Sequence, residues 1–311
     1  MSKYVAFPEN PDWMLYLPEH LHDTPLNQLA IPGCHDSGAY WFDRSGGLFP
    51  DASNALKCLY SVFGRCTCIY RWAKTQNMNF CQQLKAGIRY FDLRVTTKPY
   101  TEDLYFHHTL YADKVEPSLR DMNTFLDAHP KEVIILDFNH FNKEMEITRD
   151  DQLISMILNI FGDKVCPLQD MSSLTLNTLW SRKLQVIVIY HREDIKSKYP
   201  QIWPGSVICS PWINTKDVNE LVHGLDNHYD PHPEKHNKNM LFSYQGVLTP
   251  DTRFIVANCC GSLKTDLAHK ASPAVVKWLS KKAAGPNKMN ICLIDFADQY
   301  DFMSTILALN Q

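Results

Sequence analysis

Short runs of β-branched and other apolar residues recur along the chain and alternate with stretches whose apolar positions return every three or four residues. The runs predict strands at Gln28–Pro32, Ile88–Val95, Leu104–His108, Val133–Phe138, Leu184–Tyr190, Val207–Ser210, Met240–Tyr244 and Ile291–Phe296. Several are nearly continuous in apolar residues, as strands of a parallel sheet covered by helices are. The other stretches predict helices. Ser118–His129 carries Leu119, Met122, Phe125 and Leu126 on one face and ends at His129-Pro130, and Asp151–Phe161 repeats the pattern with Leu153, Ile154, Ile157, Leu158 and Ile160. Pro273–Lys282 opens on proline and places Val275, Val276, Trp278 and Leu279 on its apolar side. Strands interleaved with helices in this way predict an α/β protein: a (β/α)8 TIM-like barrel, irregular or distorted in places, with an open doubly wound sheet as the alternative. No repeat, low-complexity tract or linker divides the chain, so residues 1–311 read as one domain.

Composition narrows the function classes. Lys+Arg number 31 and Asp+Glu 34, a net charge of −3 that lacks the basic excess of a general nucleic-acid binder. No apolar run approaches the ~18 residues of a membrane-spanning helix. The first residues, MSKYVAFPENPDW, lack the apolar core and cleavage site of a secretory signal. The expectation is a cytoplasmic protein, peripheral to membranes, whose ten cysteines are free thiols. Cys66-Thr67-Cys68 and Cys259-Cys260 do not make the paired arms of a zinc site. Between the first two strands, Ala55–Trp72 combines Lys57, Arg65 and Arg71 with aromatic residues and no acid. It reads either as helix and loop packed on the barrel or as a membrane contact through Tyr60, Phe63, Tyr70 and Trp72.

Barrel enzymes draw their sites from the C-terminal ends of several strands. Here those ends carry Cys34-His35-Asp36-Ser37, Asp92-Leu93-Arg94, His107-His108, Asp137-Phe138-Asn139 and Ile294-Asp295-Phe296. The period of two puts Asp92 and Arg94 on one face of their strand. An inward Arg94 offers a planar fork to phosphate oxygens. Histidines from the first and third strands flanking that phosphate could remove one proton and supply another, with Asp36 and Asp295 orienting the rings. Alternation alone does not choose between His107 and His108.

At these residues the sequence resembles the X-domain family of phosphatidylinositol-specific phospholipases C, in its stand-alone form. IPGCHDSGAY is similar to the family's first block, AGIRYFDLRV to its second and LYFHHTLY to its third, and weaker likenesses continue to the C-terminus, covering about Asp12 to Gln311. The resemblance implies a catalytic X-box domain with His35 as general base, His108 as general acid, Asp295 and Asp36 as their respective partners, Arg94 on the phosphate and Asp92 positioning it. The substrate it implies is an inositol phospholipid at a transient membrane contact, and the products are diacylglycerol and a cyclic or open inositol phosphate. Asn139, Tyr190, Arg192, Trp212 and Asn214 are expected headgroup contacts. The calcium-dependent members carry an Asn beside the first His and acids at the sites matching Asp92, Arg94 and roughly Phe138. Asp36, Arg94 and Phe138 stand there instead, so no metal and no other cofactor is expected. The alternatives are a catalytically weak phosphoinositide-binding module and a metal-dependent glycerophosphodiesterase.

Overall fold

The computed structural model describes residues 9–49, 52, 57, 60–61, 67–142, 145, 147–195, 197–229 and 239–311. Its strands are β1 (Ile31–Cys34), β2 (Tyr90–Thr97), β3 (Leu104–His108), β4 (Leu110–Lys114), β5 (Ile134–Phe141), β6 (Val186–Tyr190), β7 (Trp203–Pro204), β8 (Ile208–Cys209), β9 (Leu241–Gln245) and β10 (Ile291–Ile294). Eight of them run parallel in the order β7-β6-β5-β2-β1-β10-β9-β8, curling into a barrel in which β7 and β8 are not paired. Those two strands have two residues each and are joined by the single 3-10 turn Gly205–Val207. Parallel neighbours need a crossover of about a dozen residues, so this link cannot close the ring.

Helices α1 (Thr67–Ala73), α2 (Phe80–Ala86), α3 (Val115–Ala128), α4 (Ile147–Phe161), α5 (Leu176–Ser181), α6 (Val218–Tyr229), α7 (Thr252–Ala257), α8 (His269–Leu279) and α9 (Phe302–Leu307) complete the described regular structure, with 3-10 turns and one π-turn. The predicted TIM-like barrel is therefore present, in an open and irregular form. Strand alternation divides the core in two. Ile31, Tyr90, Ile135, Ile187, Ile189, Leu241, Ile291 and Leu293 fill the barrel interior, while Cys34, Phe91, Leu136, Val188, Tyr244 and Ile294 pack outward with the helices.

Three expectations are corrected. Leu104–His108 is a strand, but it pairs antiparallel with β2 and with β4, forming a hairpin at the C-terminal end of β2 rather than a barrel stave. β7 and the β4 arm carry no strong apolar run and escape the sequence reading. Pro273 does not open its helix: α8 begins at His269, preceded by a π-turn at Lys264–Ala268, and takes the proline inside.

The N-terminal end of the barrel is held by a buried ion pair. Arg89 Nη2 lies 2.7 Å from Glu132 Oε2, and its other donors reach the carbonyls of Leu84, Ile88 and Pro11. Glu132 Oε1 accepts from the Met14 and Leu15 amides. Removing one partner of such a pair strands a buried charge, at about 3–5 kcal/mol. Glu132→Gln is therefore expected to lower unfolding stability by that amount in urea titration, and an unchanged midpoint would refute this role.

Candidate active site

The interior stripe that fills the barrel with aliphatic side chains turns polar at the C-terminal ends of the strands. Two residues beyond Tyr90 on β2 comes Asp92, then Arg94; two beyond Ile135 on β5 comes Asp137. His35 follows β1 and Asp295 follows β10, whose strands pair directly in parallel register. Neighbouring strand ends therefore deliver these side chains to one mouth.

His35 Nδ1–H donates to Asp295 Oδ1 at 2.7 Å, which leaves Nε2 facing Arg94 Nη2 at 3.2 Å. Asp36 Oδ2 lies 3.5 Å and Asp92 Oδ2 3.9 Å from the same Nε2. Burial pushes the His35 imidazolium down, but Asp36, Asp295 and Asp92 together outweigh it and raise the group to about 9. Asp36 is 1 % exposed and sits at φ 40°. Its Oδ1 pairs with Arg94 Nε and its Oδ2 with His108 Nε2 at 3.2 Å, while its amide donates to Asp92 Oδ2 at 2.9 Å. Burial opposes ionisation of Asp92, yet Arg94, His35, the Asp36 amide and Asn139 hold it down at about 2.

His108 reaches the mouth from the hairpin. Its Nδ1–H donates to the Ala73 carbonyl at 2.6 Å, turning Nε2 toward Asp36. The two imidazoles stand 6.4 Å apart, ring centre to ring centre, in edge-to-face relation. Gly38 lets the β1 loop lie against this hairpin, since a Cβ there would sit 2.7 Å from Phe106 Cβ. His107 points the other way, buried and stacked on Phe49, with its charged form strongly disfavoured by burial and then by Arg94 and His108. Of the two adjacent histidines, His108 is therefore the one that faces Asp36 and His35.

His35, Asp36 and Asp92 offer ligand atoms within 4.8 Å of one another, as a cation site would. The Arg94 guanidinium, however, lies against all three. A fixed positive charge among the donors repels a metal ion, so this donor set does not fit one.

This arrangement can be set beside known proteins. The model of the "Phosphatidylinositol-specific phospholipase C, X domain" family matches residues 67–192. PI-PLC X domain-containing protein 2 of Mus musculus is 40% identical over 303 residues, covering 97% of this chain and 88% of its own length. PI-PLC X domain-containing protein 3 of Homo sapiens is 39% identical, covering 96% and 93%.

The chain belongs to the PI-PLC X domain-containing family.

Among solved structures, the phosphatidylinositol-specific phospholipase C of Listeria monocytogenes shares the fold with a TM-score of 0.65 at 21% identity, covering 97% of this chain and 99% of that one. A Staphylococcus aureus phosphatidylinositol-specific phospholipase C does so with a TM-score of 0.68 at 17% identity, covering 97% and 98%.

Within this X domain the expected headgroup residues separate. Asn139 joins the cluster. The pairing of β2 with β5 skips a residue there, and Nδ2 donates to Asp92 Oδ1 at 2.7 Å. Tyr190 does not join it. It follows Val186 and Val188 onto the outward face, and its hydroxyl donates to Asp150 at 2.6 Å. Arg192 is likewise turned to α4, where it pairs with Asp150 at 2.8 Å and lies over Phe141. Trp212 and Asn214 are exposed beyond β8, and no described contact links them to the histidines.

The expected membrane aromatics separate as well. Trp72 is 4 % exposed, because Cys68, Ile69, Trp72 and Ala73 form the buried face of α1. Tyr60 and Tyr70 pack partly against that core, and Phe63 lies outside the described residues. The large side chains exposed after the C-terminal strand ends are Trp41, Tyr100, Trp212, Val256 and Tyr300.

Sequence reading placed Asp137 at a strand end without giving it a role, and missed His191, Thr75 and Gln76. Asp137 accepts from Tyr90 Oη at 2.5 Å and His191 Nε2 at 2.8 Å. Thr75 Oγ1 donates to the Asp36 carbonyl at 3.0 Å. Gln76 Nε2 donates to the carbonyls of His35 at 2.8 Å and Ile294 at 3.0 Å, and its Oε1 accepts from the Ala297 amide at 3.2 Å. Asp137 and His191 were legible as polar residues at interior positions of strand ends. Nothing in the sequence marks Thr75 or Gln76. Gln76→Leu keeps the volume and orphans two backbone groups, the His35 carbonyl and the Ala297 amide, each worth about 1–3 kcal/mol, while the Ile294 carbonyl keeps the His35 amide. It is expected to lower the urea midpoint markedly, and wild-type stability would show that the amide is dispensable.

Proposed function

We propose that this chain is a single catalytic X-box domain that cleaves the phosphodiester of phosphatidylinositol-type lipids without a metal ion. The observation that supports this reading best is the pair of imidazoles 6.4 Å apart, each beside a carboxylate, with the Arg94 guanidinium against His35 and Asp36. His35 takes the proton of the inositol 2-hydroxyl on Nε2, and Asp295 steadies the imidazolium that forms. The freed oxygen attacks phosphorus in line. Arg94 balances the charge on the non-bridging oxygens, the work a divalent cation does elsewhere. His108 gives its Nε2 proton to the departing diacylglycerol oxygen, and a cyclic inositol phosphate remains for water to open. The enzyme visits the membrane surface as a peripheral protein of the cytoplasm. The eight described cysteines are free thiols, and no described helix is long and apolar enough to cross a bilayer.

Release of water-soluble inositol phosphate from phosphatidylinositol vesicles in excess EDTA tests the reading. Wild-type protein is expected to release it, and His35→Ala and His108→Ala to lose about 10²–10⁴-fold in kcat. Release only after calcium is added would overturn the metal-free mechanism, and no release under either condition would overturn the assigned reaction.

The pH profile carries a further expectation. The carboxylates hold His35 protonated at neutral pH, and a base must be deprotonated to act. In His108→Ala, where the second imidazole no longer titrates, the residual kcat/KM is therefore expected to rise from pH 6.5 toward about 9 as His35 loses its proton. A rate that falls steadily over that interval would assign His35 the acid's role instead.

A further inference from the structure

The mechanism leaves one histidine–carboxylate pair of the mouth unused. Asp92 and Asp137 are register partners on β2 and β5, so their carboxyl groups enter the mouth side by side, from strands about 4.8 Å apart. Each needs donors, and they share one. Asn139 Nδ2 donates to Asp92 Oδ1 at 2.7 Å and to Asp137 Oδ2 at 3.3 Å. The nitrogen faces them because Oδ1, on the other side of the amide, accepts from His140 Nδ1–H at 2.6 Å.

The sharing is unequal, and the other partners of Asp137 account for it. Asp137 Oδ2 also accepts from Tyr90 Oη at 2.5 Å, and Oδ1 accepts from His191 Nε2–H at 2.8 Å. Burial pulls the His191 imidazolium down, but the bond to Asp137 and the charges of Asp137 and Asp92 raise it above the ordinary value. Asp137 is buried and already has a donor on each oxygen, which leaves the shorter amide bond to Asp92. The His191 ring is also held in place. A Cβ at Gly205 would stand 2.7 Å from its Cγ and Nδ1, so the turn after β7 packs against the ring.

Asp92 is where this matters. Its Oδ2 accepts from the Asp36 amide at 2.9 Å and lies 3.9 Å from both His35 Nε2 and Arg94 Nη2. The Asn139 bond fixes the other oxygen, and with it the rotation of the carboxylate before His35 and Arg94.

We propose that His191 is a positioning residue: by saturating Asp137 it leaves the Asn139 amide to Asp92, and so sets how that carboxylate meets Arg94 and His35. The role requires no contact with the headgroup. Without His191, Asp137 draws the amide nitrogen to itself, and Asp92 loses a hydrogen bond to a charged group.

The kinetic arm of the test uses a soluble short-chain phosphatidylinositol and rests on the proposed reaction. His191→Leu is expected to lower kcat about tenfold, the worth of one such bond, with KM within about twofold. His191→Gln, which keeps a neutral N–H donor for Asp137, is expected to restore most of the rate. His191→Leu/Asn139→Leu is expected to lose no more than Asn139→Leu alone, because both act through one bond. Losses that multiply to about a hundredfold would overturn the coupling. A raised KM with kcat intact would overturn it in favour of a headgroup contact.

The second arm needs no turnover. NMR follows the two side-chain amide protons of Asn139, assigned by their loss in Asn139→Leu. In His191→Leu the proton on Asp137 is expected to move downfield and the proton on Asp92 upfield, as one bond shortens and the other lengthens. His191→Gln is expected to leave both near their wild-type positions. Unmoved protons in His191→Leu would overturn the proposal. A wild-type protein without turnover would overturn the assigned reaction and leave this spectroscopic result standing.

Discussion

The rest of the site depends on one buried carboxylate. Asp36 pairs with Arg94 through one oxygen and with His108 through the other, and its backbone amide binds Asp92. It does so from a left-handed backbone conformation that a non-glycine residue enters at a cost. Three carboxylates, Asp36, Asp92 and Asp295, meet one guanidinium here. The excess negative charge favours the imidazolium form of His35, which is why His35 is held so far above an ordinary histidine. The guanidinium in turn keeps Asp92 ionised and occupies the space a cation would need. His35, Asp36, Asp92 and Arg94 are thus bound together by mutual electrostatics within one cluster.

That cluster is positioned from outside the barrel by the segment following α1. Ala73 fixes the His108 ring, Thr75 holds the Asp36 carbonyl and receives Phe296, and Gln76 ties the backbones of His35, Ile294 and Ala297 together. The barrel is open between β7 and β8, far along the sheet from β1 and β10. The histidines sit where the sheet is continuous, with the strap across them.

Much of this was legible in the sequence because the period of two carries the chemistry. The stripe that reads Tyr90, Asp92, Arg94 is apolar where the barrel needs a core and charged where it needs a site, and the same parity sends Tyr190 outward with Val186 and Val188. Proximity along the chain suggested Tyr190 and Arg192 as headgroup contacts, and parity overrules it. The aromatic and basic content of 55–72 suggested a membrane element, but the helical period of Cys68, Ile69 and Trp72 buries Trp72 instead. The hairpin escaped because a strand run does not reveal its direction of pairing. Gln76 escaped because its three partners come from segments separated by long stretches of chain.

The most direct test of the shared-carboxylate account is a histidine-resolved NMR titration of the wild-type protein and Asp36→Asn. The account predicts that His35 titrates near 9 in the wild type and moves well down toward 6.5 once Asp36 is neutral. A His35 midpoint that stays in place in Asp36→Asn would contradict it.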